Sequence, residues 1–266
     1  MTELVFLKLG GSLITDKNTA NTAKTDVIDR IADEISLALR ADPTRQILIG
    51  HGSGSFGHFA AQKYGTRDGV NSDSDWRGFA EVWRQAKALN QIVMESLVRT
   101  GLPVIAFPPS AQVITRSHKI ISWNISQIQA SLKHKLVPVI FGDVVYDLAL
   151  GGTILSTEEQ YEYLAAFLQP TRILLAGIEK GIWKDFPQRT QIFKRITPEN
   201  FQQSLLHLAA SESPDVTGGM RSKVTGMLDL VKAGHCRDVC IFSGVEDQSI
   251  RNALAGKCAG TLISTG

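Results

Sequence analysis

Short apolar runs recur along the chain as LVFLKL (4–9), QILIGH (46–51), LPVIAF (102–107), LVPVIFG (136–142), RILLAG (172–177), DVCIFSG (238–244) and GTLIS (260–264). Each is brief and nearly unbroken, the pattern of a strand buried on both faces, and most intervals between them carry helical spacing. One interval places Val27, Ile31, Ile35 and Leu39 four apart behind a Thr25-Asp26 start; another aligns Phe79, Val82, Trp83, Ala86 and Leu89 on one face. The alternation predicts an α/β fold, a three-layer αβα sandwich with a mainly parallel central sheet. The segment GDVVYDLALGGTILSTEE (142–159) departs from it: two apolar runs flank Gly151-Gly152 and read as a β-hairpin. Ser156-Thr157-Glu158-Glu159 then opens a helix with a capping hydroxyl and acids suited to the positive end of its dipole. A soft boundary near residue 170 separates a lobe of residues 1–170 from one of 171–266, the two sharing one continuous sheet.

Composition narrows the class. With 28 basic and 26 acidic residues in mixed order the net charge is +2, so no extended basic field exists to attract nucleic acid or an anionic membrane, and any anion binding is local. The opening MTELVFLKLGGSLITDK lacks the flanks of a signal peptide, and no run is long enough for a membrane helix; a cytoplasmic protein is expected. Cys236, Cys240 and Cys258 form an odd set without a Cys-x-x-Cys pair, which reads as reduced, buried thiols and provides no metal site.

The candidate chemistry lies in three glycine turns. Gly52-Ser53-Gly54-Ser55-Phe56-Gly57 satisfies G-x-G-x-x-G, but it follows the second strand. The acids about twenty residues on, Asp73 and Asp75, sit in a polar loop and not at a strand end, so a nicotinamide or flavin site lacks its ribose partner. A P-loop is absent, since Gly256-Lys257 is followed by Cys258. What remains is a strand-to-helix turn whose backbone N–H groups can converge on an anion, with His58 immediately after it. Lys8-Leu9-Gly10-Gly11-Ser12, with Lys17 beyond, and Gly218-Gly219, with Lys223 one turn inside a helix, are two more. Singly each is an ordinary turn; together they can cradle several phosphates.

KLGGSLITDK, GHGSGSFGH, GDVVYD…GGTILSTEE, DVTGGMRSK and the terminal GKCAGTLIS together resemble the amino acid kinase superfamily, and within it the isopentenyl phosphate kinases. G-S-F-G-H is the more specific signature, shared with a fosfomycin kinase. The resemblance implies ATP and Mg²⁺, with isopentenyl phosphate as acceptor and a homodimer joined through helices of the first lobe. It implies that Lys8, Gly10, Gly11, Ser12, Gly54, Gly219 and Lys223 face ATP, with Lys17 near the transferring group. Gly52, Ser53, Gly57, His58 and Gly152 would face the acceptor phosphate, and Asp143 would organise the lysines. Where many members have T-D-V-x-G-V-Y this chain has AGIEKGIW, so Gly177, Lys180, Gly181 and Trp183 are the adenine-side candidates.

These residue types suit phosphoryl transfer, which needs positioning and charge neutralisation. A phosphate monoester with a second pKa near 6 is already largely dianionic at neutral pH and needs no general base. His58 can bind the acceptor oxygen, and Phe79, Val82 and Trp83 can wall an apolar pocket for the tail. A sister kinase acting on another phosphate or phosphonate, and a catalytically silent nucleotide sensor, are the competing readings.

Overall fold

The computed structural model describes residues 3–202 and 219–266. Its centre is β1 (Leu4–Leu9), paired in parallel with β2 (Gln46–His51) on one side and β9 (Arg172–Gly177) on the other. Beyond β2 lie β6 (Val137–Phe141) and, at the edge, β3 (Val104–Ala106). Beyond β9 lie β11 (Asp238–Ser243), the antiparallel β12 (Thr261–Ser264) and the edge strand β10 (Arg195–Ile196). All seven apolar runs thus become strands of one eight-stranded sheet, parallel except where β12 meets β11.

Period-two alternation along β1 sorts its side chains between two cores. Val5, Leu7 and Leu9 face α2 (Thr25–Ala41), through Ile28, Ile31 and Ile35, together with α4 (Asp73–Arg99) and α8 (Ser249–Leu254). Leu4 and Phe6 face the opposite layer of α5 (Ser126–Lys133), α6 (Thr157–Leu168) and α7 (Gly219–Lys232). The molecule is a three-layer αβα sandwich. Lys8 shares the face of Leu4 and Phe6, and this parity aims it at α6 and α7. Among the described residues no helix is long and apolar enough to cross a membrane.

A second, four-stranded sheet runs β5 (Lys119–Trp123), β4 (Val113–Arg116), β7 (Asp143–Asp147) and β8 (Gly151–Leu155). β7 and β8 form the expected hairpin, but its turn is Leu148 to Leu150; Gly151 and Gly152 already belong to β8. Asp147 closes that turn, accepting from the N–H groups of Ser117, His118, Ala149 and Leu150 and from the Thr115 hydroxyl. β4 and β5 had no apolar run to announce them, since β5 is mostly exposed.

One expectation fails in the C-terminal part. Cys240, on β11, and Cys258 are joined as a disulfide with Cα atoms 5.9 Å apart, within the ordinary span of such a bond. They are eighteen residues apart in sequence, so only the sheet brings them together. Cys236 alone is a free thiol, and burial, then the charge of Asp238, push its pKa up to about 12.

Candidate active site

Two glycine turns meet at the C-terminal ends of β1 and β2, the edge of a parallel sheet where ligands bind. Gly10 N–H donates to Ala176 O at 2.8 Å and Gly52 N–H to Leu9 O at 3.0 Å, tying the turns to β9 and to each other. A Cβ on Gly11 would stand 2.6 Å from Cα and N of Gly54, and one on Gly52 would stand 2.9 Å from the Gly11 nitrogen. Backbone lies against backbone, and a side chain on either turn would part them. Gly54 also has φ +49°, with Thr15 Oγ1 2.2 Å from where its Cβ would be. That Thr15 hydroxyl donates to Gly11 O at 2.7 Å and accepts from Ser55 N–H at 3.0 Å, pinning the start of α3 (Gly54–Tyr64).

His58 sits one turn into α3, half-buried, with Nδ1 2.8 Å from Gly54 O. A carbonyl can only accept, so Nδ1 carries a proton. Ser53 and Gly57 flank it: a Cβ on Gly57 would stand 2.4 Å from Ser53 Oγ.

The structure adds a residue that sequence reading assigned only to a helix start. Glu158 is buried, and its Oε1 pairs with Lys8 from β1 and, at 3.4 Å, with Lys223 from α7. Burial raises its pKa, but the two lysines outweigh that and hold it down to about 2. Its neighbour Glu159 has a different task, accepting from Ser156 N–H at 2.7 Å in a capping box. With Glu159 occupying the cap, Glu158 is left to face inward.

That finding corrects the expectation for Asp143. It is buried at the start of β7, where Oδ1 accepts from Val144 N–H at 2.8 Å and Ser110 lies against the carboxyl, while Oδ2 makes no well-formed hydrogen bond. Burial, only partly offset by those hydrogen bonds, raises its pKa to about 6. Among the described residues, the carboxylate paired with both lysines is Glu158.

The remaining candidates divide. Ser12 is half-buried beside the first turn and Lys17 is exposed beyond it; Gly219 begins α7, and Gly218 lies outside the described residues. Gly177 ends β9, its carbonyl accepting from Gly244 N–H at 2.8 Å. Gly181 is buried because a Cβ there would stand 2.7 Å from Thr261 Oγ1, so its bareness is explained by packing on β12. Lys180 is exposed, and Trp183 donates from Nε1 to Glu179 at 2.7 Å.

A separate cluster of buried apolar side chains adjoins α3. Ala60 and Ala61 from α3, Val70 from the loop before α4, Phe79 and Val82 from α4, Val144 from β7 and Ile154 from β8 form a cluster of their own. Gly152 makes room for the Phe79 ring, which would stand 2.8 Å from a Cβ there. Trp83 departs from expectation: it lies at the edge of the buried stripe of α4, exposed, with the Lys87 ammonium 5.1 Å from its ring centroid.

The sequence profile of the amino acid kinase family matches residues 3–243. The chain belongs to the amino acid kinase family. An isopentenyl phosphate kinase of Methanocaldococcus jannaschii is 35% identical over 98% of both chains, and that of Methanothermobacter thermautotrophicus is 31% identical over 98% of this chain and 95% of its own. A solved isopentenyl phosphate kinase structure superposes with a TM-score of 0.82 at 28% identity, covering 98% of this kinase and all of its counterpart. The glycine turns, the Lys8–Glu158–Lys223 cluster and the apolar side-chain cluster are therefore features of a kinase.

Proposed function

We propose that this kinase transfers the γ-phosphoryl group of Mg²⁺-ATP to isopentenyl phosphate, giving isopentenyl diphosphate and ADP. The observation that carries the reading is the convergence of Lys8, Glu158 and Lys223 with the glycine turns that present His58, next to a small apolar compartment. In the transfer an acceptor phosphate oxygen attacks the γ-phosphorus in line, and the bond from that phosphorus to the β,γ-bridging oxygen breaks. Lys8 and Lys223 neutralise charge on the transferred group, with Lys17 approaching from the loop. Glu158 keeps the two ammonium groups together before the substrate arrives.

The acceptor phosphate meets the Ser53 side chain and the ring of His58. Because Gly54 O fixes the proton on Nδ1, Nε2 donates to a phosphate oxygen only when the ring is the imidazolium; acceptor binding and ring protonation are coupled. The tail enters the compartment walled by Phe79, Val82 and Gly152. Gly10, Gly11 and Gly54 from residues 1–170 and Gly177, Lys180 and Trp183 from residues 171–266 flank the nucleotide, while the acceptor is held by residues 1–170. Mg²⁺ would be carried mainly by phosphates and water, screening the phosphoryl charge. Leu37 on α2 and Val98 on α4 are exposed apolar residues of the first lobe, and they support a homodimer formed there, which sedimentation would test.

The test is ADP release with Mg²⁺-ATP against isopentenyl phosphate, dimethylallyl phosphate, geranyl phosphate and fosfomycin. Turnover is expected to be fastest on isopentenyl phosphate and to fall at least about 100-fold in His58→Ala, the usual scale for a hydrogen-bond donor at a transferring group. Faster turnover on fosfomycin, or a near-normal His58→Ala rate, would overturn the acceptor assignment.

A further inference from the structure

His51 ends β2, directly before the glycine turn, and is fully buried with its ring stacked on Phe141 at 5.5 Å between centroids. Its Nδ1 is 3.1 Å from Gly52 O, and its Nε2 is 3.1 Å from Oδ1 of Asn90, a buried polar residue on the inner face of α4. The Gly52 carbonyl can only accept, so Nδ1 bears a proton. Burial first, and then the charge of Lys8, lower the ring's pKa, which leaves the ring neutral and Nε2 an acceptor. A neutral ring protonated on Nδ1 takes a donor at Nε2, so the hydrogen-bond partners assign the Asn90 amide the flipped orientation, with Nδ2 in the place of Oδ1.

The backbone of His51 extends the connection. Its carbonyl accepts from Gly142 N–H at 3.0 Å and from the Thr157 hydroxyl at 2.7 Å, and Thr157 immediately precedes Glu158. One residue thus touches the acceptor turn, α4, β6 and the first turn of α6. The helix α4 carries Phe79 and Val82 of the apolar compartment, whereas the turn leads to His58. Apolar packing alone resists separation of two elements better than it resists their sliding; a pair of directional buried hydrogen bonds fixes their register.

We propose that His51 and Asn90 are positioning residues that set the distance between the acceptor's tail compartment and its phosphate-binding turn. The proposal rests on the kinase reading above, and it assigns specificity for a short-tailed phosphate to a contact that touches neither the tail nor the phosphate. Leucine at position 90 fills the space and removes the register; aspartate preserves it, because a carboxylate accepts from Nε2–H of a protonated ring whose Nδ1–H still reaches Gly52.

The experiment compares wild type, Asn90→Leu and Asn90→Asp in steady-state kinetics with isopentenyl phosphate and ATP. Misplacement of the acceptor by a fraction of an ångström predicts that Asn90→Leu lowers kcat/KM for isopentenyl phosphate by about 10- to 100-fold with KM for ATP within about twofold. Asn90→Asp should recover most of the loss. An unchanged acceptor kcat/KM in Asn90→Leu, whatever its melting temperature, would reduce the pair to a structural contact; so would an equal loss on the ATP side. Imidazole ¹⁵N spectra of the wild type provide a readout independent of turnover: at neutral pH His51 should be neutral and protonated on Nδ1. A ring that is charged at neutral pH, or carries its proton on Nε2, overturns the proposal. A wild type inactive on isopentenyl phosphate but with this spectrum would instead overturn the acceptor assignment alone.

Discussion

Glu158 is a carboxylate nearly removed from water and held between two ammonium groups, so its charge is an asset only while both partners remain. Replacing one member of a buried charge cluster strands the others, and Glu158→Gln should cost about 3 kcal/mol of stability in urea unfolding. The pH dependence has a definite sign. The pKa of Glu158 is about 2 in the folded chain against an ordinary 4.5, so its stabilisation is complete above about pH 4.5 and is lost as pH falls toward 2. Glu158→Gln should therefore flatten the acid limb of the stability profile, and an acid limb identical to that of the wild type would show that the pairing contributes nothing. Sequence reading found Lys8 and Lys223 because each lies beside a glycine turn, and it placed Glu158 at a helix start. The pairing itself was not legible, because it joins residues 8, 158 and 223 through strand parity and helix packing, neither of which leaves a local pattern. The same limit led to Asp143, an acid in a plausible motif whose side chain the fold directs to Ser110 and Val144.

At the scale of elements, α6 and α7 are held close by a glycine. A Cβ on Gly226 would stand 2.1 Å from Glu162 Oε1, one turn beyond Glu158 on α6. Burial, and then Glu159, Glu158 and Asp229, raise the pKa of Glu162 to about 7. A carboxyl raised in the folded state binds its proton more tightly there than when unfolded, so stability should decline as pH rises from about 4.5 to 7 and level off above. Glu162→Gln should remove that decline and be more stable at pH 8 by on the order of 1–2 kcal/mol, allowing for the group's partial exposure. Urea midpoints for the two proteins across that range would decide it; parallel curves would mean that Glu162 titrates normally. The hairpin and α4 make a second element-level prediction. Gly152→Ala would drive a methyl into the Phe79 ring and push it into the acceptor compartment, raising KM for isopentenyl phosphate several-fold while KM for ATP stays within about twofold. Equal KM values for wild type and variant would place the acceptor elsewhere. Helical spacing made α4 legible and identified Phe79 and Val82, but it could not tell the rim of the stripe, where Trp83 lies, from its centre. It also passed over Asn90, because a polar residue on an apolar face carries meaning only when its partner is known.

For the whole molecule, the order of strands matters more than the soft boundary near residue 170. β1 belongs to the first half of the chain and β9 to the second, yet they are adjacent at the centre of one sheet, and Glu158 on α6 reaches Lys8 from one half and Lys223 from the other. The apolar runs made the strands legible, and their alternation with helices made the sandwich legible. The strand order and the disulfide were not, since both are set by contacts between distant segments. A ligand that bridges the two halves should consequently stabilise them as one unit. At a concentration 100 times its Kd, Mg²⁺-ATP contributes about 2.7 kcal/mol to the folded state. For a chain of this size that corresponds to a rise in Tm of roughly 5–10 °C. Differential scanning calorimetry should show a single transition that moves as a whole, and Lys223→Met should shrink the shift while leaving the transition single. Two resolved transitions, only one of them shifted by ATP, would mean that the halves unfold independently and that the shared sheet does not couple the nucleotide side to the acceptor side.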